Sequence, residues 1–154
     1  MSIKPARASS ESGIFSLIFR LEAGSSLPAS VYLGSMDMLI LSGQAEYVQE
    51  GSTSILNPGT WGFVSANSKV NSFQAIEDTE VLANFYSAVA FLNEDGSINS
   101  LFTAMDVLQM AKDIKITLVP NSLTECMELD PEEYKGNGAP LAITSANAGK
   151  LVND

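Results

Sequence analysis

The sequence predicts an all-β sandwich or barrel, followed by one or two short helices. Short apolar segments recur about every 8–12 residues with turn residues between them, which is typical of such folds. Apolar residues first recur at helical spacing after residue 103. The chain has 154 residues, 45% of them hydrophobic, so it can bury the core of one domain.

The first predicted strand lies near the N-terminus. Residues 1–12 are polar and rich in serine, so we expect them to form a flexible arm. After Ile14, apolar residues occupy every second position up to Leu21, while Ser16 and Arg20 lie between them. This period of two predicts a strand with one buried face. That face carries Phe15, Leu17, Phe19 and Leu21.

Turn residues separate the later strands. The apolar run Met36–Leu41 ends at Ser42-Gly43 and is followed by Ala45–Val48, a pattern that predicts a strand, a tight turn and a second strand. Asn57-Pro58-Gly59-Thr60 marks another turn before a strand that begins at Trp61. The remaining predicted strands are Val70–Ala75, Val81–Leu92 and the segment after the turn at Asn93–Gly96.

Helical signals follow the strands. Thr103 and Asp106 match a capping box, and the spacing of apolar residues predicts a helix over about 104–114. Lys115–Val119 is predicted as a further strand, and Asp130-Pro131-Glu132-Glu133 as the start of a second helix. We therefore expect a barrel with its helix over 13–115, and an extension over 116–154 that packs on the barrel or on a partner subunit.

Composition excludes several classes of function. The chain has 18 acidic and eight basic residues, a net charge of −10, so we expect no nucleic-acid or membrane partner. It has no histidine and one cysteine, which excludes zinc sites of the Cys/His type and catalytic triads that need histidine. One cysteine and the lack of a signal-like apolar stretch predict a cytoplasmic protein.

Three segments resemble the cupin family. The first motif is matched by Gly24, Leu27-Pro28, Gly34, Leu41 and Gly43. Asn57–Val70 resembles the second motif, and Phe91–Ile98 resembles the hairpin that follows it. Over about residues 14–112 the chain is most similar to the branch with the anti-sigma-factor cupin domain and the acetylacetone and dihydroxyacetophenone dioxygenase-like proteins. The resemblance implies a jelly-roll barrel.

The resemblance also implies where metal ligands would stand, and the histidines are missing there. Ser30 and Tyr32 occupy the two histidine positions of the first motif, and Asp37 occupies the glutamate position. The histidine of the second motif is replaced by Val70, or by Asn71 if the register shifts by one. Serine, tyrosine and valine are poor ligands for transition metals, so we expect no metal and no cofactor.

The resemblance also implies that these residues line one cavity. The first hypothesis is a metal-free cupin that binds a small, largely uncharged organic molecule through Ser30, Tyr32, Asp37 and Val70 or Asn71. Trp61 either stacks on that molecule or packs in the core. An alternative is a cofactor-independent isomerase, cyclase or lyase in which Asp37, with a pKa raised by apolar surroundings, and Tyr32 move a proton. Asp37 hydrogen-bonded to Tyr32 or Ser30 would instead only close a residual polar site.

The last alternatives are a dioxygenase-like cupin and a structural role in assembly. The resemblance implies pairing of two copies through their sheets, so we expect a homodimer.

Overall fold

A computed structural model describes residues 1–116 and 118 of the chain. In this part of the chain, twelve strands are followed by one helix, α1 (Ala104–Asp113). The strands are β1 (Ser2–Ala8), β2 (Phe15–Leu21), β3 (Ser26–Leu27), β4 (Ser30–Tyr32), β5 (Met36–Ser42), β6 (Ala45–Gln49), β7 (Ser52–Leu56), β8 (Trp61–Val64), β9 (Lys69–Ala75), β10 (Thr79–Phe85), β11 (Val89–Leu92) and β12 (Ile98–Phe102). Helix α1, the one helix of this part of the chain, is not long and apolar enough to cross a bilayer.

The strands form two antiparallel sheets with the core between them. The five-stranded sheet has the order β1-β2-β10-β5-β8. The seven-stranded sheet has the order β12-β11-β4-β9-β6-β7, with β3 paired to β9. Strands of both sheets bury alternate residues, as β10 and β6 show, which is how a jelly roll fills its interior. The predicted all-β jelly roll is therefore confirmed.

Strand β2 supplies much of this core, as its period of two predicts. Phe15, Leu17, Phe19 and Leu21 are buried, whereas Arg20 is exposed. Phe15 is fully buried and stacks on Phe85, with ring centroids 4.6 Å apart. It also meets the edge of Phe102 at 5.5 Å. These contacts join the five-stranded sheet to β12 of the other sheet.

The N-terminal segment is a strand, so the prediction of a flexible arm is wrong for residues 2–8. Strand β1 pairs with β2 from Ser2 opposite Arg20 to Ala8 opposite Phe15. Backbone hydrogen bonds to the free edge of β2 stabilise β1, and they do not depend on an alternating side-chain pattern. Ala8 is buried, and Ile3 packs against the core.

Two of the connections that cross between the sheets differ from the prediction, which was a tight turn between paired strands at one and a continuous strand at the other. The turn at Gly43 joins β5 in the five-stranded sheet to β6 in the seven-stranded sheet, so these strands do not pair. Segment Val81–Leu92 is divided at residues 86–88 into β10 and β11, which belong to different sheets. Local patterns identify a turn but not the sheet that the chain enters next.

Helix α1 begins as predicted. The side chain of Asp106 accepts hydrogen bonds from the backbone amide and the hydroxyl of Thr103, both at 2.7 Å. Ala104, Val107 and Ala111 are buried on one face of the helix. Lys115 and Ile116 are not in a strand, and the rest of the predicted strand to Val119 falls largely outside the described residues, as do the helix predicted at Asp130 and most of the 116–154 extension.

Asp78 organises the turn before β10, and its titration gives a test of this turn. One carboxylate oxygen accepts a hydrogen bond from the Ala23 amide at 3.0 Å, and the other accepts one from Arg20 Nη2 at 2.8 Å. The amide first, and then the guanidinium, hold the pKa of Asp78 below 3.8. A depressed folded-state pKa contributes stability above the unfolded pKa, and that stability is lost as pH falls through the folded value.

We expect an NMR titration to give a pKa for Asp78 below 3.8. Arg20→Gln should raise this pKa only part of the way, because the Ala23 amide still stabilises the carboxylate. A wild-type value at or above 3.8 would contradict this account of the turn.

Candidate ligand-binding cavity

A cavity of about 280 Å³ lies between the two sheets. Methionine, aromatic and aliphatic side chains form most of its wall, and three residues contribute hydroxyl groups: Ser30, Tyr32 and Tyr47. Among the described residues that line it, none has a charged side chain. The cavity therefore offers apolar contact together with a few neutral hydrogen-bonding groups.

Two groups of aromatic rings form part of the wall. Phe73 meets the edges of Phe19 and Tyr47, with ring centroids 6.0 and 6.5 Å apart. Phe85 stacks near Tyr32 at 6.1 Å. Offset and edge-to-face rings at these distances attract one another, so the wall has defined flat surfaces.

The hydroxyl groups are concentrated on β4 and β6. Ser30 and Tyr32 are two residues apart on β4 and are both buried. Burial raises the pKa of Tyr32, and the Ser30 hydroxyl beside the phenol partly opposes that rise. Tyr47 donates its hydroxyl proton to Gln49 Oε1 at 3.1 Å, and burial likewise raises its pKa. Both phenols are therefore neutral at pH 7.

The structure brings three of the predicted site residues together. Ser30, Tyr32 and Val70 all line the cavity, and Ser30 lies opposite Val70 in the pairing of β4 with β9. Asn71 is exposed, and its side-chain oxygen accepts a hydrogen bond from the Glu50 amide at 3.1 Å. Of the two registers left open by the sequence, the one with Val70 in the cavity is therefore observed.

Asp37 does not line the cavity, so that prediction is wrong. Strand β5 buries Met36, Met38 and Ile40, and the alternation turns Asp37 to the outer face of the five-stranded sheet. There its carboxylate accepts hydrogen bonds from Asn84 Nδ2 at 2.7 Å and from the Tyr86 hydroxyl at 2.9 Å. Its partners are thus neither Tyr32 nor Ser30.

Met36 takes the inward position that the resemblance gave to Asp37. Met36 directly precedes Asp37 on β5, and a shift of one residue in a strand reverses the direction of the side chain. Met36 is buried and lines the cavity. The sequence could not decide between them, because Asp37 stands within an apolar run whose outward residues, such as Leu39, are apolar too.

Trp61 is neither in the cavity nor in the core. Its side chain is 59% exposed and that of Phe63 is 65% exposed, because β8 turns Gly62 and Val64 inward. Trp61 lies at the end of an apolar row across the outer face of the five-stranded sheet. In strand order the row consists of Ile18, Leu82, Leu39 and Trp61.

Sequence reasoning also missed most of the apolar wall. Tyr47, Phe73 and Phe85 line the cavity, yet their segments were predicted only as strands. Side chains alternate between the two faces of a strand, so all inward residues of a strand are known once one of them is. Phe19 on β2 was assigned an inward direction in this way. The signal was present, but two facing sheets were needed to show which inward residues leave a space between them.

The side chains at the implied metal positions do not fit a metal. A hydroxyl, a phenol, a thioether and an isopropyl group are supplied by Ser30, Tyr32, Met36 and Val70. Among residues 1–116 and 118, no three His, Cys, Asp or Glu side chains lie close enough to hold an ion. A transition metal prefers imidazole, thiolate or carboxylate ligands. The described residues at these positions therefore do not supply a set of metal ligands.

The sequence of residues 1–90 matches the model of the ChrR cupin-like domain. The chain belongs to this cupin family. The match covers β1 through β11 up to Ala90, and so includes Ser30, Tyr32, Met36 and Val70. The cupin resemblance drawn from the motifs is confirmed. A comparison with curated protein sequences gave no significant match.

Solved structures with the same architecture include three cupins. An acetylacetone dioxygenase from Acinetobacter johnsonii is 17% identical with a TM-score of 0.64, covering 70% of this chain and 73% of its own. An RmlC-like cupin protein from Ralstonia eutropha is 14% identical with a TM-score of 0.66, covering 77% and 78%. A protein of unknown function with a cupin-like fold, also from Ralstonia eutropha, is 18% identical with a TM-score of 0.62, covering 78% and 82%. At these identities the likeness concerns the fold alone.

Proposed function

We propose that this cupin binds a small, largely uncharged organic molecule between its two sheets, without a metal. The observation that carries the proposal is a cavity of about 280 Å³ whose described lining is apolar apart from three hydroxyl-bearing residues. Small-molecule sites are usually concave and apolar, with a few polar groups that orient the ligand.

Charge decides which ligands are favoured. Moving an ion out of water into such a cavity costs several kcal/mol unless an opposite charge or several hydrogen bonds meet it. No charged side chain is found among the described lining residues, and Ser30, Tyr32 and Tyr47 are neutral at pH 7. A neutral ligand loses little on transfer and gains about 25 cal/mol for each Å² of apolar surface that it buries.

Binding is better supported than catalysis. A cofactor-independent isomerase, cyclase or lyase required Asp37 and Tyr32 in one pocket, but Asp37 is bonded to Asn84 and Tyr86 on the outer face of the sheet. The metal-dependent dioxygenase reaction that the resemblance implies needs metal ligands, and the side chains at the implied positions do not fit a metal. The acetylacetone activity in the name of the Acinetobacter structure belongs to that protein. We infer a binding or regulatory module.

Two further expectations stay predictions. A homodimer would bury exposed apolar area, and the row Ile18, Leu82, Leu39 and Trp61 is a described surface that favours it. A cytoplasmic location is consistent with a chain that has one cysteine.

A cavity-filling substitution tests the proposal. Val70 is 2% exposed and lines the cavity, so Val70→Phe places a ring in the space that a ligand would occupy. Indane and 1-indanone are suitable neutral probes. We expect calorimetry to detect binding of at least one of them to the wild-type protein, and Val70→Phe to weaken that binding by about tenfold or more.

Gln74→Phe is the matched control, because Gln74 is an exposed residue on the same strand. It adds the same ring outside the cavity and should leave the affinity unchanged. The proposal fails if neither probe binds the wild-type protein, or if a folded Val70→Phe variant binds as tightly as wild type. Stoichiometric Fe, Ni or Zn in freshly purified protein would also refute it.

A further inference from the structure

The hydroxyl groups in the cavity leave a hydrogen-bond donor without an acceptor. Ser30, Tyr32 and Tyr47 bring three hydroxyl protons to the wall. The Tyr47 proton is donated to Gln49 Oε1. Ser30 and Tyr32 are neighbours on one face of β4, and at most one of their two protons can be donated within the pair, whichever residue donates it. One proton of this pair therefore has no acceptor among the described residues.

An unpaired donor in such a place is costly. Ser30 is 3% exposed and Tyr32 is 9% exposed, so the pair has little access to bulk water. Buried donors without a partner are rarer in proteins than acceptors with a free lone pair, and each costs free energy comparable to a lost hydrogen bond. A ligand that supplies an acceptor here removes that cost.

The remaining wall limits the size and charge of the ligand. A dry cavity of about 150 Å³ lined by apolar residues holds benzene. The cavity of about 280 Å³ is roughly twice as large, so it fits a fused two-ring body or one ring with a short chain. Phe19, Phe73 and Phe85 contribute flat surfaces to it. No described lining residue has a charged side chain that could pair with an ionised ligand.

We propose that the cavity selects neutral molecules that carry a hydrogen-bond-accepting oxygen on an apolar body of about two rings, with the hydroxyl pair of Ser30 and Tyr32 donating to that oxygen. This inference rests on the proposed binding function and specifies the class of ligand. The aromatic walls contact the apolar body, and the pair on β4 orients it. Donor-only and anionic molecules of the same shape are disfavoured.

Four probes of similar shape test the selection on the wild-type protein: 1-indanone has an acceptor, indole has a donor, indane has neither, and indane-1-carboxylate is anionic. We expect calorimetry to show that 1-indanone binds about three- to tenfold more tightly than indane, which is the range for one net hydrogen bond. Indole should bind no better than indane, and the carboxylate should bind more weakly than both.

Variants then assign the preference to the pair. Ser30→Ala/Tyr32→Phe removes both protons, so 1-indanone and indane should bind it equally. Tyr86→Phe is the control, because it makes the same change at a hydroxyl that donates to Asp37 on the outer face of the sheet, and it should keep the preference. Thermal unfolding of each variant verifies that it is folded. The comparison of the four probes on the wild-type protein does not depend on any variant.

The outcomes separate the two proposals. If neither indane nor 1-indanone binds, the binding function itself is wrong. If both bind with equal affinity to the wild-type protein, or if indole gains as much as 1-indanone, binding stands and the acceptor selection is overturned. A preference that persists in a folded Ser30→Ala/Tyr32→Phe variant would also overturn the assignment to these hydroxyls.

Discussion

Gly43→Ala is expected to destabilise this cupin by about 3 kcal/mol or more, or to prevent folding. Gly43 has φ of +75°, where a side chain costs about 1–2 kcal/mol. A Cβ atom there would also overlap the Asp78 carbonyl oxygen and lie 2.7 Å from Thr79 Cα. Both are backbone groups that cannot rotate away, so the turn between the sheets must shift.

The surroundings of Gly43 make such a shift expensive. The next residue, Gln44, accepts hydrogen bonds at its carbonyl from the Ile76 amide at 2.8 Å and from the fully buried Thr79 hydroxyl at 2.9 Å. Moving the turn would strain these bonds together. Chemical denaturation of the purified variant measures the loss of unfolding free energy.

Gly59→Ala separates backbone strain from steric overlap. Gly59 has φ of +85°, but a Cβ atom there would have no atom within 4 Å. Its alanine variant should lose only the strain, about 1–2 kcal/mol. If Gly43→Ala and Gly59→Ala lose the same free energy, the close approach of the β5–β6 turn to Asp78 is incorrect.

Phe15→Ala is expected to lower the free energy of unfolding by about 3–5 kcal/mol. Phe15 is fully buried, and its ring contacts Phe85 and Phe102. Truncation leaves a cavity between rings of both sheets, because a β-sandwich relaxes only partly around a lost side chain. Phe15→Leu keeps most of the apolar volume and should fall between wild type and Phe15→Ala.

Phe63→Ala is the matched control, since Phe63 is 65% exposed on the outer face of β8. Its variant should stay within about 0.5 kcal/mol of wild type. If urea titrations show that Phe15→Ala and Phe63→Ala lose the same free energy of unfolding, the inward direction of Phe15 on β2 is contradicted. A large loss at Phe63 alone would show that the outer face is buried in solution.

The sequence predicted the cavity only in part, and particular residues show why. Ser30, Tyr32 and Val70 were placed from motif spacing and do line the cavity. Asp37 was placed one residue out of register, because both faces of β5 are mainly apolar and the alternation offered no contrast. Trp61 was predicted to stack on a ligand or to pack in the core. The edge strand β8 instead exposes alternate residues, whatever their size.

Sequence alone determined the class of fold, the inward face of β2, the capped helix α1 and the absence of imidazole, because each depends on residue identity or local periodicity. Tertiary structure decided which sheet each strand joins, that β1 covers the edge of β2, and that Met36 rather than Asp37 faces the cavity. These features depend on pairing between distant segments. The hydrogen bonds that fix such pairing involve the backbone, which is nearly the same for every residue.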